Sequence, residues 1–217
     1  MRAAVFDIDG TLLDSSPMWA GLGGRYLARH GFPAGNIAQR LAELSLEEGA
    51  RLLSDEYTRD GAQVVLAELR GIMERFYREE ARLKRGAAEL VDGLCARGWA
   101  LSLATAGDAE LSRCALTRLG LWERFRGLAD CARYGAKTSA GVFLAAAELC
   151  GARPYEGVVF EDSLHALVTA KKAGFVTAAV RDESEPQQAL LAQTADYYRP
   201  DLTGYLEIFC SQNGDLR

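Results

Sequence analysis

The sequence predicts an α/β fold, with a parallel sheet core covered by helices on both faces and an inserted all-α segment near the amino terminus. Two patterns predict this fold. Residues 15–82 carry apolar side chains at helical spacing without an intervening strand, whereas residues 83–217 alternate short apolar runs with helical segments. The chain has 217 residues, of which 49% are hydrophobic, so we expect one substantial core and one smaller unit.

The chain opens with a strand that leads into two acids. The apolar run Ala3–Phe6 is followed by Asp7, Ile8 and Asp9. Because side chains alternate along a strand, Asp7 and Asp9 point the same way at its exit, which in a parallel sheet is the edge where ligands bind. Two neighbouring carboxylates repel each other, so either one of them keeps a proton or a cation lies between them.

The insertion is predicted to consist of helices alone. Met18, Trp19 and Tyr26 recur at helical spacing, and we expect them to pack inside the insertion. Ser45 and Glu48 form the capping-box pattern that opens a helix. The predicted helices are 18–31, 36–44, 45–53 and 62–81. A helical block placed directly after an acidic loop is typical of a lid domain.

The remainder of the chain alternates strands and helices. The predicted strands are 99–104, 125–129, 158–160 and 176–180, and the predicted helices are 90–98, 108–119, 140–150, 164–173, 186–192 and one that starts at Leu202. Lys171 and Lys172 stand at the negative end of helix 164–173, and Gly174 ends it. Such regular alternation predicts a parallel sheet with helices on both faces.

Composition excludes several classes of protein. A net charge of −5 argues against a broad nucleic-acid or anionic-membrane surface. No apolar run approaches the length of a membrane span, and the amino terminus starts as a strand rather than as an export signal. Five scattered cysteines without C-x-x-C spacing predict reduced thiols, and neither a disulfide framework nor a zinc site. We therefore expect a cytoplasmic protein without membrane or nucleic-acid partners.

The first acids carry a resemblance to a known family. The run Asp7-x-Asp9-Gly10-Thr11 resembles the first motif of the haloacid dehalogenase-like (HAD) phosphotransferases, in particular the beta-phosphoglucomutase-like branch, whose helical cap follows this loop. The resemblance implies that Asp7 attacks a phosphoryl group and that Asp9 is the general acid and base. A calcium loop of the D-x-D-x-D-G kind is the rival, but Thr11 and Leu12 stand at its third acid and glycine.

The change from helices alone to alternating strands and helices, together with this resemblance, predicts a domain organisation. A Rossmann-like core would comprise residues 1–14 and 83–217, and a helical cap domain would comprise residues 15–82.

Two later positions resemble the second and third motifs of the family. Thr105 follows a predicted strand, and its hydroxyl with the amides of Ala106 and Gly107 would bind a phosphate at the start of the next helix. Lys137 precedes Phe143 at the family's spacing and would hold phosphoryl oxygens. The family usually has proline after this lysine and proline-aspartate further on, and here Thr138 and Ala140-Gly141 stand at those places. The simpler alternatives are a capping threonine and a solvated lysine.

The acid pair Glu161-Asp162 resembles the fourth motif. It follows a continuous apolar strand, so it would converge with Asp7 and Asp9 in one crevice. Four carboxyl groups in one crevice need a cation, and an all-oxygen ligand set favours Mg²⁺. Following the family, the ligands would be the Asp7 side chain, the Asp9 backbone carbonyl and Asp162, with Glu161 as a ligand or as a partner of one. His165, just past the pair, is expected beside the site or on the surface.

These expectations combine into a magnesium-dependent phosphatase that hydrolyses a small phosphorylated metabolite through an aspartyl-phosphate. The alternatives are a sugar phosphomutase of the beta-phosphoglucomutase type and a non-catalytic ligand-binding member. A dehalogenase is disfavoured by Asp9 and the later acid pair, and the mutase is weakened because the neighbourhood of Trp19 lacks the histidine that mutases carry there. The sequence specifies neither the substrate nor the oligomeric state, nor whether Arg40, Arg51 or Lys84 contacts the substrate.

Overall fold

The computed structural model of the protein describes residues 2–42 and 44–211. The chain divides into two compact units, one formed by Met1–Asp14 with Arg82–Arg217 and the other by Ser15–Ala81. The first unit contains the sheet, and the second is helical. No helix in the described ranges combines the length and the apolar character that crossing a bilayer requires.

The helical unit contains four α-helices in its described residues. They are α1 (Ser16–Arg29), α2 (Ile37–Leu41), α3 (Leu46–Leu53) and α4 (Ala62–Arg75). The capping box is present, because the N–H of Glu48 donates to Oγ of Ser45 and the N–H of Ser45 donates to the Glu48 side chain. Single π-helical turns extend α3 over Ser54–Thr58 and α4 over Phe76–Glu80.

The core unit is built on a parallel sheet. In the described part of the chain its strands are β1 (Ala3–Phe6), β2 (Ala100–Thr105), β3 (Leu128–Asp130), β4 (Gly157–Glu161), β5 (Val176–Val180) and β6 (Tyr197–Arg199). Their order is β3-β2-β1-β4-β5-β6, and every neighbouring pair is parallel. The order reverses between β1 and β4, and the carboxyl end of such a reversal is where open α/β sheets bind ligands.

Seven α-helices accompany the described strands. They are α5 (Ala87–Cys95), α6 (Ala109–Arg118), α7 (Cys131–Tyr134), α8 (Gly141–Leu149), α9 (Leu164–Lys172), α10 (Gln188–Thr194) and α11 (Tyr205–Ser211). Alternating residues of β1 serve opposite faces of the sheet. Val5 packs in a cluster with Phe143 of α8, while Phe6 stacks on Phe160 of β4 at 4.4 Å between ring centroids, and Tyr205 of α11 meets Phe160 edge-on. The central strands are therefore buried on both sides, as the sequence predicts.

Several element boundaries differ from the prediction. Strand β3 begins at Leu128 rather than at Phe125, because the N–H of Phe125 closes a 3₁₀ turn onto the carbonyl of Trp122 at 3.1 Å. The last helix begins at Tyr205 rather than at Leu202, whose N–H donates to the carbonyl of Arg85. Helix α10 begins at Gln188 instead of residue 186.

Two of the shortest elements, α7 and β6, gave no sequence signal. Helix α7 has 4 residues and β6 has 3, which is too few to set up a periodic pattern. Helix α2 ends at Leu41, short of the predicted range 36–44, in which Glu43 lies outside the described residues. Trp19 was expected to pack inside the insertion and is instead 40% exposed, whereas Met18 and Tyr26 are buried.

Candidate active site

The end of β1 fixes the first acid in place. The N–H of Asp7 donates to the carbonyl of Phe160 at 3.0 Å, which continues the β1–β4 ladder past the last strand residue. Asp7 is consequently buried, whereas Asp9 is partly exposed. The chain turns immediately afterwards at Gly10, whose φ of +84° lies in the left-handed region that favours glycine.

This turn brings the first loop against the loop after β4. A Cβ atom at Gly10 would lie 2.3 Å from Oδ2 of Asp162, so a larger residue does not fit. The next residue, Thr11, donates its hydroxyl to Oδ1 of Asp162 at 3.1 Å. The predicted convergence of the first and fourth motifs is therefore present as direct contact between buried groups.

Lys137 lies between the two acids that follow β1 and β4. Its Nζ atom forms ion pairs with Oδ1 of Asp7 and Oε1 of Glu161, and the residue is only 7% exposed. Burial opposes the charge on Lys137, but Asp7 and Glu161 outweigh burial and raise the pKa of the ammonium. Lys137 is thus a buried, charged group rather than the solvated surface lysine that was the simpler alternative.

The departures from the family pattern after Lys137 have a local explanation at one position. A Cβ atom at Gly141, the first residue of α8, would lie 2.3 Å from the carbonyl oxygen of Tyr134 in α7. The close approach of these two helices therefore requires glycine at the position where the family usually has aspartate.

Glu161 uses both of its carboxylate oxygens within the protein. Oε1 pairs with Lys137, and Oε2 accepts the N–H groups of Asp162 and Ser163 at 3.1 Å each. Burial is the largest influence on this group and raises the pKa of Glu161 to about 7. Burial, followed by the charge of Asp7, also raises the pKa of Asp162 well above its usual value.

The three buried acids form a group suited to a hard cation. Carboxylate oxygens of Asp7, Glu161 and Asp162 lie within 4.8 Å of one another. Oδ2 of Asp7 is buried and has no hydrogen-bond partner among the described residues. Three carboxylates face the single charge of Lys137, and an all-oxygen donor set with one unsatisfied buried oxygen fits Mg²⁺. The side chain of Asp9 lies outside this group of three.

The loop after β2 lies beside Asp9. A Cβ atom at Gly107 would be 2.8 Å from Oδ2 of Asp9, so this glycine permits the close approach of the Asp9 carboxylate. The N–H of Gly107 donates to Oγ1 of the buried Thr105 at 2.9 Å. The first amides of α6 are capped by Asp108, which accepts from the N–H groups of Glu110 and Leu111 at 2.9 Å each. The predicted phosphate-binding loop therefore adjoins Asp9.

A cavity of about 430 Å³ lies beside Lys137 and the acid pair, and neither Asp7 nor Asp9 is among its lining residues. Its lining includes Ala106, Lys137, Glu161 and Asp162, which come from three of the four predicted motifs. His165 also lines the cavity, and its Nδ1 atom lies 2.7 Å from Oγ of Ser163.

Two charged residues form an ion pair beside the first loop: Lys84, which the sequence left open as a substrate contact, and Asp182, which the sequence did not single out. Lys84 contacts the carbonyl oxygen of Gly10 and pairs with Asp182 at 2.6 Å, and both members of the pair are largely buried. Asp182 follows β5 as the other acids follow β1 and β4, so its position at a strand end was a usable signal. Lys84 offered no comparable signal, because only the folded chain brings it to Gly10.

Solved structures of similar fold include a protein from Thermotoga maritima that is provisionally assigned as a beta-phosphoglucomutase. It superposes with a TM-score of 0.81 at 24% identity, covering 92% of this chain and 94% of that chain. CbbY from Rhodobacter sphaeroides, solved in complex with phosphate, superposes with a TM-score of 0.73 at 22% identity, covering 94% and 96% of the two chains. At these identities the likeness concerns the fold.

Sequence relatives include two bacterial phosphatases. An N-acetylmuramic acid 6-phosphate phosphatase from Pseudomonas putida is 27% identical over 191 residues, which cover 83% of each chain. The fructose-1-phosphate phosphatase YqaB from Escherichia coli is 27% identical over 196 residues, which cover 82% of this chain and 95% of YqaB. The sequence model of the haloacid dehalogenase-like hydrolases matches residues 1–174. Since this match extends over most of the chain and over the strands that carry the acid cluster, the chain belongs to the haloacid dehalogenase-like hydrolases.

Proposed function

We propose that this protein is a magnesium-dependent phosphatase that hydrolyses a phosphomonoester of a small sugar-like metabolite through an aspartyl-phosphate. The observation that carries the proposal is the state of Asp7, which has one oxygen paired with Lys137 and the other buried without a partner among the described residues. A carboxylate with a free oxygen beside a fixed cation is arranged to attack an electrophile that brings negative charge with it.

In the proposed first step, a carboxylate oxygen of Asp7 attacks the phosphorus in line and the bond to the leaving oxygen breaks. Lys137 stabilises the negative charge on the phosphoryl oxygens, and Glu161 holds Lys137 in place through its second ion pair. The Thr105 hydroxyl and the amide of Ala106 supply the remaining contacts to the phosphoryl oxygens, while the N–H of Gly107 donates to Oγ1 of Thr105 and fixes the direction of that hydroxyl. The phosphoryl group is then bonded to Asp7, and the alcohol departs.

Asp9 completes both steps by moving a proton. It protonates the leaving oxygen in the first step, and it takes a proton from the water that hydrolyses the aspartyl-phosphate in the second. Its partial exposure, next to Gly107, suits a group that exchanges protons with substrate and water.

The side chains of Asp7 and Asp162 and the backbone carbonyl of Asp9 would hold the magnesium ion, with Glu161 in contact with Lys137 behind them. When bound, the ion supplies charge neutralisation between the acids and the phosphoryl oxygens. Asp162 is prepared for this role because Thr11 orients one of its oxygens.

The substrate class, a sugar-like phosphomonoester, is assigned from the names of the sequence relatives, and the lid role of the helical unit is assigned from the fold. Three of the sequence relatives are named for phosphorylated sugars, among them a phosphorylated carbohydrates phosphatase of Thermotoga maritima, 25% identical over 181 residues. The helical unit Ser15–Ala81 is proposed to be the cap that selects the substrate, with the Rossmann-like core formed by the rest.

The test is phosphate release from a panel of sugar, nucleotide and glycolytic phosphates, with magnesium and with a chelator. Wild-type protein is expected to release phosphate only with the metal, and Asp7→Asn is expected to be folded and inactive. Asp14→Asn, an exposed acid on the same loop, is the matched control and should retain activity. Turnover by Asp7→Asn would refute the nucleophile, and isomerisation of a hexose 1-phosphate faster than phosphate release would favour the mutase.

A further inference from the structure

Lys84 lies where the chain re-enters the core after the helical unit. Leu83 pairs with Leu13 in an antiparallel bridge, and the N–H of Lys84 donates to the carbonyl of Leu12 at 2.8 Å. The backbone of Lys84 is therefore fixed against the segment that leaves the first loop.

The ammonium group of Lys84 has three N–H donors, and the protein supplies three acceptors. They are the carbonyl oxygen of Gly10, the carbonyl oxygen of Arg181 at 2.9 Å, and Oδ2 of Asp182 at 2.6 Å. With every donor engaged inside the core unit, Lys84 has none left for a substrate. This answers the question that the sequence left open for this residue.

The acceptor Asp182 is itself held in position. Its Oδ1 atom accepts the N–H and the hydroxyl of Ser184 at 3.0 and 2.7 Å, and the residue is only 4% exposed. Nearby, Oε2 of Glu185 accepts the N–H of Leu164 at the start of α9. The segment after β5 thus contacts both the first loop, through Lys84, and the helix that follows Glu161-Asp162.

We propose that Lys84 is a positioning residue for the first loop, which it fixes by binding the carbonyl oxygen of Gly10. Gly10 lies between Asp9 and Thr11. If its carbonyl oxygen loses the contact with Lys84, the peptide between Gly10 and Thr11 can rotate, and this rotation displaces the neighbouring carboxylate of Asp9. This inference rests on the proposed function, in which Asp9 protonates the leaving group.

The consequence depends on the leaving group of the substrate. An alkyl phosphate needs a proton on its departing oxygen, whereas p-nitrophenyl phosphate releases a stable anion and needs little help from an acid. For Lys84→Met we expect kcat/KM to fall ~100-fold on an alkyl phosphate, as is typical of a small misplacement of a catalytic group, and at most about fivefold on p-nitrophenyl phosphate. Inhibition by inorganic phosphate should stay within about twofold of wild type, because Lys137 is untouched.

The experiment compares wild type, Lys84→Met and the double variant Lys84→Met/Asp182→Asn, with thermal unfolding measured for each. The double variant also removes the buried charge of Asp182, whose lysine partner the single substitution deletes. Lys171→Met is the matched control, because Lys171 also binds an acid and a carbonyl, Asp196 and Thr194, at 2.7 Å each but stands on α9 away from the first loop. It should leave both rates unchanged.

The outcomes separate the two proposals. A selective loss on the alkyl phosphate in either folded variant supports the positioning role. Equal losses on both substrates, no loss on either, or failure of both variants to fold overturns that role alone and assigns the ion pair to stability. Absence of phosphate release from wild type with every monoester overturns the proposed function and this inference together.

Discussion

The three buried acids of this site differ in how many of their carboxylate oxygens are engaged by neighbouring groups. Glu161 has both oxygens engaged by Lys137 and backbone amides, and one oxygen of Asp162 is held by Thr11, whereas Asp7 keeps one buried oxygen without a described partner. These contacts are invisible in the order of residues. They are the reason that we propose different roles for the acids: Asp7 attacks and helps to hold the cation, Asp162 holds the cation, and Glu161 orients Lys137.

The close approach of Asp162 to Gly10 predicts the effect of a side chain at position 10. Gly10→Ala should lower the free energy of unfolding by about 1–3 kcal/mol, because it combines a left-handed backbone with a Cβ atom 2.3 Å from Asp162. The same displacement of Asp162 should abolish the stabilisation by magnesium. Chemical denaturation and thermal shift with and without magnesium measure both effects.

Gly21→Ala is the matched control for that substitution. Gly21 lies in helix α1, and a Cβ atom added there would meet no atom of the described residues within 4 Å, so alanine should stabilise the helix by about 0.5–1 kcal/mol. Equal effects of the two substitutions would contradict the steric argument.

Lys137 should matter for activity and for stability at the same time. Lys137→Met leaves Asp7 and Glu161 buried without their cation, which is expected to cost about 3–5 kcal/mol in the metal-free protein. Turnover should fall at least ~100-fold, the cost typical of removing one transition-state donor. Urea denaturation and steady-state kinetics check the two losses.

Lys172→Met, an exposed lysine at the end of α9, serves as control and should change neither quantity. Lys137→Arg should fail to restore turnover, because a planar guanidinium does not reproduce the two contacts of a point charge. A variant with methionine at 137 that kept wild-type kinetics would exclude Lys137 from the site.

At the scale of elements, the site exists because strand ends converge. β1 lies between β2 and β4, so residues that follow these three strands meet at one edge of the sheet although the chain separates them widely. Thr105, Asp7 and Glu161 are each the last strand residue or the one after it. The alternation of strands and helices predicts this edge from sequence, since a parallel sheet places all carboxyl ends together.

The cap of helix α6 should contribute both to stability and to phosphate binding. Asp108 caps this helix immediately after the Thr105–Gly107 loop, so Asp108→Ala should cost about 1 kcal/mol of stability through loss of the side-chain acceptor for two amides. Weaker inhibition by inorganic phosphate should accompany it, since the loop ends on the helix. Thermal unfolding and phosphate inhibition measure these effects.

Asn is as good a cap as Asp, so Asp108→Asn should stay near wild type in both measurements. If Asn and Ala had the same effect, the charge of Asp108 rather than its capping geometry would be responsible.

At the scale of the whole molecule, the acid cluster should make stability depend on pH. Burial raises the pKa of Glu161 to about 7 from the 4.5 of an unperturbed glutamate, and the pKa of Asp162 is raised as well. The folded protein then binds more protons than the unfolded chain between these values, so the stabilisation is complete below about pH 4.5 and is lost as the pH rises through about 7.

The measurement is Tm in a chelator at pH values from 5 to 8, where we expect a decline. Magnesium should reduce the decline, because it binds the ionised acids of the folded state. Glu161→Gln should flatten the decline of Tm with pH. Glu156→Gln is the control and should leave the decline unchanged, because the Arg153 N–H lowers the pKa of Glu156 instead of raising it. If the Tm of the wild-type protein rose over this range while that of Glu161→Gln did not, the raised pKa of Glu161 would be contradicted.

The sequence alone determined the alternation of elements, the position of the helical insertion, and the residues Asp7, Asp9, Thr105, Lys137, Glu161 and Asp162 as candidates. The elements could be predicted because apolar periodicity reports burial, and the candidate residues because they stand at positions that resemble the motifs of the family. It placed β3 imperfectly and missed α7 and β6, since a turn or a three-residue pairing is decided by hydrogen-bond partners elsewhere in the chain.

Only the tertiary structure decided which groups touch. The pairing of Lys137 with both Asp7 and Glu161, the oxygen of Asp7 that no described residue contacts by a hydrogen bond, and the contact of Lys84 with Gly10 all depend on residues far apart in sequence. Such contacts depend on strand order and on loop paths, and a buried charge acquires its pKa and its role from neighbours that the chain supplies only when folded.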